Sequence, residues 1–462
     1  MTNLFQAFKA AKTIIILQLL LKIANFTLNV LIARVMEPEV YGAGNIQLML
    51  LNTLILHFSR ENFRKAAQRS TTPSYKLMWI STFSSWIFGL IMFFVWSGNS
   101  TCIGIIVVSS MIEAFGEPFH ILELINLQTK GRLLGEGSGF IIKCIVIIFL
   151  ARYGLLAFAI GQLAYSITVT VVYIWSCAER PSFNFNQPVE EPVKKAAVAF
   201  CGIAVLKFFL SEGEKIVIMA LKLPELQQGV FALVSNLGSI VCRLLFLPIE
   251  EITHSLFSKN LGKEEALNGI RSVLKVMWIV GLFAGIYGSI YSDLLIRILY
   301  DKKWIEADAG SALSAYCWYI LVMAINGVSE AIAVAKSTDK ELYKRQVWML
   351  GFSLFYLAIA AFFSDFGAIG MIYANIFSMI LRILLSFYNL FKYYPYILIQ
   401  DVFPSLQISI SFSFTFFALK VFSHYTYGFI FIAIGGVWFL GHCIFIYHKE
   451  KNAWNILKVK SS

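Results

Sequence analysis

Seven basic residues fall inside stretches long and apolar enough to cross a bilayer: Lys22, Lys143, Lys207, Lys215, Arg243, Arg382 and Lys420. A charge at bilayer depth costs roughly 3 kcal/mol or more. Each therefore needs a carboxylate partner, a water-filled cavity or an anionic ligand, and holding an anion is the chemistry such residues can perform. Gln18, Lys22, Asn25 and Asn29 follow one another at steps of four, three and four, which sets a polar stripe on one helical face. The stripe fits a polar seam between helices or the wall of a cavity, and the lysine in it favours the cavity. Lys207 and Glu214 share a face, while Glu212 and Lys215 are three apart around Gly213, where a helix could open and offer backbone to a cavity. Arg243 and Glu250, seven apart, share a face with Pro248 between them and Glu251 alongside, a spacing that also fits an ion pair. If the turn after Glu113 and Glu117 centres on Lys130, Glu117 and Lys143 reach equal depth on antiparallel helices and form a structural ion pair. Glu330 and Arg382 pair similarly.

The elements that must position these groups follow from composition. Apolar residues make up 58% of the 462-residue chain against 14% charged, with 41 phenylalanines and a mean hydropathy of +0.72. A water-soluble protein of this makeup would expose large apolar patches. The reading is an all-α polytopic membrane protein. Apolar runs of about 20 residues centre near positions 24, 50, 86, 112, 142, 164, 208, 240, 284, 320, 354, 378, 414 and 437, which predicts fourteen transmembrane helices.

Loops of one parity hold most of the Lys and Arg, while those of the other hold only Arg34, Arg152, Lys222, Arg297, Lys302 and Lys303. The positive-inside rule then puts both termini in the cytosol. The net charge of +11 is explained by a basic cytosolic face against anionic lipid, so no nucleic-acid partner is expected. Lys22 interrupts the first apolar run and no cleavage site follows it, which favours an uncleaved span over a signal peptide. The seven cysteines lie in or beside spans without a CxxC pair, and no two of the six histidines have metal-ligand spacing, so no disulfide frame, metal or cofactor is expected.

Residues 178–195 form the longest polar stretch, broken by Pro181, Pro188 and Pro192, and predict a linker. Leu21-Lys22, Ala33-Arg34, Pro38-Glu39 and Gly42 before it answer Leu206-Lys207, Ala220, Pro224-Glu225 and Gly229 after it. Six spans on each side make a parallel repeat, a plan that places the substrate path between the halves. The expected domains are an N-terminal six-helix bundle over 1–180, a cytosolic linker over 181–195, a second bundle over 196–398, and two additional helices with a tail over 399–462.

Several blocks resemble the "requiring fifty-three" (Rft) family of endoplasmic-reticulum proteins: Asn29 to Arg34, Pro38-Glu39, Asn45 to Leu48, Ser59 to Ala66, Glu113 to Pro118, Ser211 to Lys215, Ser235 to Ser239 through Pro248 to Glu251, and Ala324 to Glu330. The resemblance implies a branch of the multidrug, oligosaccharidyl-lipid and polysaccharide flippase superfamily, with two six-helix bundles in a V plus two extra helices. It also implies a role in protein N-glycosylation: flipping a dolichyl diphosphate that carries five mannose and two N-acetylglucosamine units, by alternating access of a cationic cavity. A diphosphate needs cationic donors to cross apolar depth, and the sugars need a wet polar cavity, while the polyprenyl tail stays in lipid. The residues expected along that path are Lys22, Asn29, Arg34, Arg60, Glu61, Lys207, Glu212, Lys215, Arg243, Glu250 and Glu251, with membrane lipid and N-glycosylation proteins as further partners.

The same resemblance allows a non-transporting factor that binds the oligosaccharide lipid or organises glycosylation enzymes. A cation-coupled exporter would want carboxylates in the first bundle's cavity, whereas the ionisable groups in and just after the first apolar run are Lys22 and Arg34. Glu37 with Glu39 faintly resembles the metal-binding acidic pair of polyprenol-dependent glycosyltransferases, but the short lumenal loops argue against an enzyme. Lys458-Val459-Lys460-Ser461-Ser462 resembles a dilysine signal for retrieval to the endoplasmic reticulum.

Overall fold

The structure, a computed structural model, describes residues 23–67, 74–126, 130–183, 189, 191–259, 262–425 and 428–449. Lys22, Gln18 and the Lys458 to Ser462 tail lie outside them. The described secondary structure is helical: α1 (Ile23–Val35), α2 (38–67), α3 (Tyr75–Val95), α4 (Ser100–Ile125), α5 (Lys130–Phe149), α6 (Leu155–Ser176), α7 (Glu191–Ala220), α8 (Glu225–Phe257), α9 (Lys263–Leu299), α10 (Ala309–Lys336), α11 (Lys340–Phe362), α12 (Ser364–Tyr393), α13 (Leu406–Tyr425) and α14 (Phe429–Lys449). Ten helices among the described residues are long and apolar enough to span a membrane. The helices at the other four predicted positions, α1, α2, α5 and α7, are not among those ten. Met49–Ala67 of α2 carries Arg60, Glu61, Arg64 and Lys65 in its second half, and α5 and α7 carry charged residues along their lengths.

Local chemistry sets several of these elements. Asn99 caps α4 by accepting hydrogen bonds from the Thr101 and Cys102 amides at 3.1 and 3.2 Å. Gly116 and Pro118 split α4 into Ser100–Phe115 and Glu117–Ile125, because the proline ring fixes φ and removes an amide donor. Gly154, just before α6, and Gly367, where the opening 3-10 turn of α12 gives way to α-helix, both sit at φ +59°, a conformation that only glycine adopts cheaply. Two helices contain π-helical turns, Ala43–Leu48 in α2 and Cys242–Phe246 in α8. Each shifts the faces of its helix relative to an ideal α-helical count.

The chain divides into two compact units, Met1–Gly229 and Val230–Ser462. In the first, α5 packs on α6, α6 on α4, and α3 on both α2 and α4. There α7 packs along α2, with Phe208 set against His57 and Phe58 at ring separations of 5.3 and 5.1 Å. The first turn of α8 also belongs to this unit. A Cβ on Gly229 would overlap the Pro38 carbonyl and one on Gly42 would strike the Gly229 amide, so these two turns meet backbone to backbone. Gln47 donates to Gln228 at 3.1 Å beside them. These are the glycines that the sequence repeat matches to each other.

In the second unit α10 is central, packed by α8, α9 and α12. Ile408 and Phe412 of α13 and Ile446 of α14 close a separate apolar cluster on Ile279 and Ile286 of α9. Phe94, Val95, Leu354, Phe417 and Val437 remain exposed on outward faces. In water such faces would aggregate; in a bilayer they are solvated by lipid tails.

Candidate functional site

The charged residues of the first unit sort into a closed lattice and a looser set. Arg60 and Arg64 lie one turn apart on α2, and Glu113 and Glu117 lie one turn apart on α4. Arg60 donates to Glu113 at 2.9 Å and its Nε lies 3.0 Å from Glu117, while Arg64 grips both Glu117 oxygens, one of them at 2.8 Å. Ser166 of α6 donates to the second Glu113 oxygen at 2.9 Å. Glu117 is fully buried and Glu113 nearly so, with the two guanidiniums only 15% and 23% exposed. Buried carboxylates are tolerated here because two guanidiniums replace water at Glu117, and a guanidinium and a hydroxyl replace it at Glu113.

This lattice corrects the expected Glu117–Lys143 pair. The break at Gly116 and Pro118 turns Glu117 toward α2, where two guanidiniums meet it. Lys143 instead donates to the buried Gln162 of α6 at 2.8 Å. Arg60, expected along a substrate path, is held within the lattice.

The looser set is on α7. Lys207 reaches Glu61 of α2 at 2.6 Å with its side chain 54% exposed, and Glu61 also holds Lys65 at 3.2 Å. Lys215 pairs with Glu212 at 2.8 Å within the same helix. The expected opening at Gly213 is absent: Glu191–Ala220 is one continuous helix, and the space beside Gly213 is empty. Arg34 is exposed near the end of α1. Asn25 and Asn29 of the polar stripe are half-buried, and Asn25 Oδ1 has no hydrogen-bond partner.

In the second unit the spacing of Arg243 and Glu250 does not produce a pair. The π-helical turn at Cys242–Phe246 intervenes, and Arg243 folds back onto Ser239, donating to its carbonyl at 3.2 Å and its hydroxyl at 2.5 Å. Glu250 and Glu251 line a cavity of about 550 Å³ formed by α8, α10 and α12. Glu330 on its α10 wall holds Arg382 at 3.2 Å, as the sequence suggests, and also Arg345 of α11 at 3.2 Å. Asn326, one turn before Glu330, donates to it at 3.2 Å. Arg345 lies outside every block read from the sequence, and Asn326 falls in the Ala324 to Glu330 block without a role on the path, although Asn326 and Glu330 at a four-residue step form a readable polar face.

Comparison with known proteins agrees with this architecture. The chain matches the family described as "Rft protein" over residues 6–460. It is 30% identical to the Man(5)GlcNAc(2)-PP-dolichol translocation protein RFT1 of Xenopus tropicalis, covering 87% of this chain and 86% of that protein. It is 28% identical to the protein of the same name from Mus musculus, over 84% and 82% of the two chains. Among solved structures it superposes on a lipid II flippase, MurJ in an inward closed conformation, with a TM-score of 0.71 at 16% identity, covering 94% of this chain and 98% of that one. That likeness shows the same multi-pass transporter fold, and with the match along nearly the whole sequence the chain belongs to the Rft protein family.

Proposed function

We propose that this protein moves a dolichyl-diphosphate-linked oligosaccharide across the endoplasmic-reticulum membrane for N-glycosylation, without catalysing a reaction. The observation that carries the reading is 30% identity across 87% of the chain to a protein named for translocating Man(5)GlcNAc(2)-PP-dolichol. The fold shared with a lipid II flippase supports it, since both named substrates place a polar head on a polyprenyl tail. Fourteen spans, cytosolic termini and two six-helix bundles over 1–180 and 196–398 belong to the same proposal.

Within that proposal the cations take different roles. Arg60 and Arg64 are committed to buried carboxylates. Lys207 is the better diphosphate ligand, because its exposed pair with Glu61 is worth only about 0.2–1 kcal/mol and exchanges readily for a phosphate oxygen. Arg34, Lys22 and Lys215 complete the cationic path. Purified protein in vesicles with labelled oligosaccharide lipid tests the whole reading: transbilayer movement should accelerate over protein-free vesicles. If cells lacking the protein under-glycosylate while these vesicles stay inert, the accessory reading replaces transport.

A further inference from the structure

The cavity between α8, α10 and α12 has an unusual polar inventory. Glu250 is half-buried and has no ion-pair partner among the described residues, and its Oε1 lies against Gly327, where a Cβ would collide with it. Asn326 is only 6% exposed and lines the same cavity, yet its Oδ1 accepts no hydrogen bond. Those are acceptors without donors. Arg382, also on the wall, has a buried Nε that donates to nothing, and buried Arg345 behind Glu330 has an NH1 in the same condition. Those are donors without acceptors, and a buried polar group left unmatched destabilises the fold.

The mixture discriminates among ligands. A metal cation would satisfy Glu250 and Asn326 but would face the Arg382 guanidinium. A phosphate would satisfy Arg382 but would face Glu250 and Glu251. A sugar hydroxyl donates and accepts at once, so a polyol answers both deficits without bringing charge into a low-dielectric site. Gly327 keeps the wall low beneath the Glu250 carboxylate, and the volume of about 550 Å³ is of the size that takes small organic ligands.

We infer that this cavity is a glycan-recognition site that binds hydroxyl groups of the oligosaccharide head through Glu250, Glu251 and Asn326, with Arg382 held in place by Glu330. The inference rests on the transport reading and adds where the sugars, as distinct from the diphosphate, are recognised. Full-length protein in nanodiscs is titrated with two probes, dolichyl phosphate and the heptasaccharide dolichyl diphosphate, and the ratio of the two affinities is the readout. Wild type should prefer the glycosylated lipid. Glu250→Gln and Asn326→Leu should cut that preference by roughly tenfold, with dolichyl phosphate binding unchanged. Glu251→Gln, at an exposed position, should lower it less and keeps the test readable if the other two variants fail to fold. A preference unaltered in every folded variant overturns the site while leaving transport standing. A wild type that binds neither lipid overturns the parent reading and this site with it.

Discussion

The two compact units both pair their buried arginines with carboxylates, but they set those pairs in different surroundings. In the first, Arg60, Arg64, Glu113, Glu117 and Ser166 are tied together across α2, α4 and α6, with only Arg60 Nε of that set left without a hydrogen bond. In the second, helices α8, α10 and α12 form an open cavity whose wall carries Asn326 and Arg382 with unmatched buried atoms and Glu250 without an ion pair among the described residues. Within the proposed repeat these two triplets of helices are equivalents. The same position in a bundle thus serves once as a fastener and once as a surface with unused hydrogen-bonding capacity. Buried groups paired internally hold helices together; buried groups left unpaired lower stability, and those lining a cavity are open to a ligand.

That contrast breaks most visibly at Glu117. Replacing it with Gln strands the Arg64 guanidinium, leaves Arg60 with Glu113 alone, and should cost about 3–5 kcal/mol, seen as a sharp fall in steady-state protein. Adding Arg64→Glu to Glu117→Arg should restore part of the loss, as coupled partners do. Unchanged abundance in Glu117→Gln would mean the lattice does not hold α2 to α4. A smaller effect is expected for Arg382→Gln, about 1–2 kcal/mol, because Arg345 still neutralises Glu330. A loss as large as that of Glu117→Gln would show the second unit to be as tightly fastened as the first.

Lys207→Gln removes an exposed pair and should change stability by no more than about 1 kcal/mol. Glycosylation of a reporter should nonetheless fall while protein level holds. If abundance drops with it, Lys207 is scaffold. The smallest stability change belongs to Glu250→Gln, within about 0.5 kcal/mol of wild type by thermal unfolding, because the carboxylate has no ion pair to lose. A clear destabilisation there would erase the difference between the units.

Much of this was legible in the residues. Apolar runs gave the positions of the helices, since a bilayer imposes length and hydropathy on any segment that crosses it. The motif blocks from Asn29 to Glu330 gave the family, and Glu330 with Arg382 was readable as a pair. The matched steps of Arg60 to Arg64 and Glu113 to Glu117 also stand in the sequence as two equal ladders. Equal residue counts from an assumed turn pointed instead to Lys143, and that count ignored the bend at Gly116 and Pro118.

The sequence by itself determined that this is a membrane-spanning helical protein of the Rft family and that it carries more cations at depth than an inert bundle needs. Only the tertiary structure decided which of those cations are already spent. Helical periodicity fixes which residues share a face, but one π-helical turn at Cys242–Phe246 rotates that face and sends Arg243 to Ser239 instead of Glu250. Whether a buried charge is a fastener or a ligand depends on which neighbouring helix presents the complementary group, and that is set by packing between segments distant in the chain.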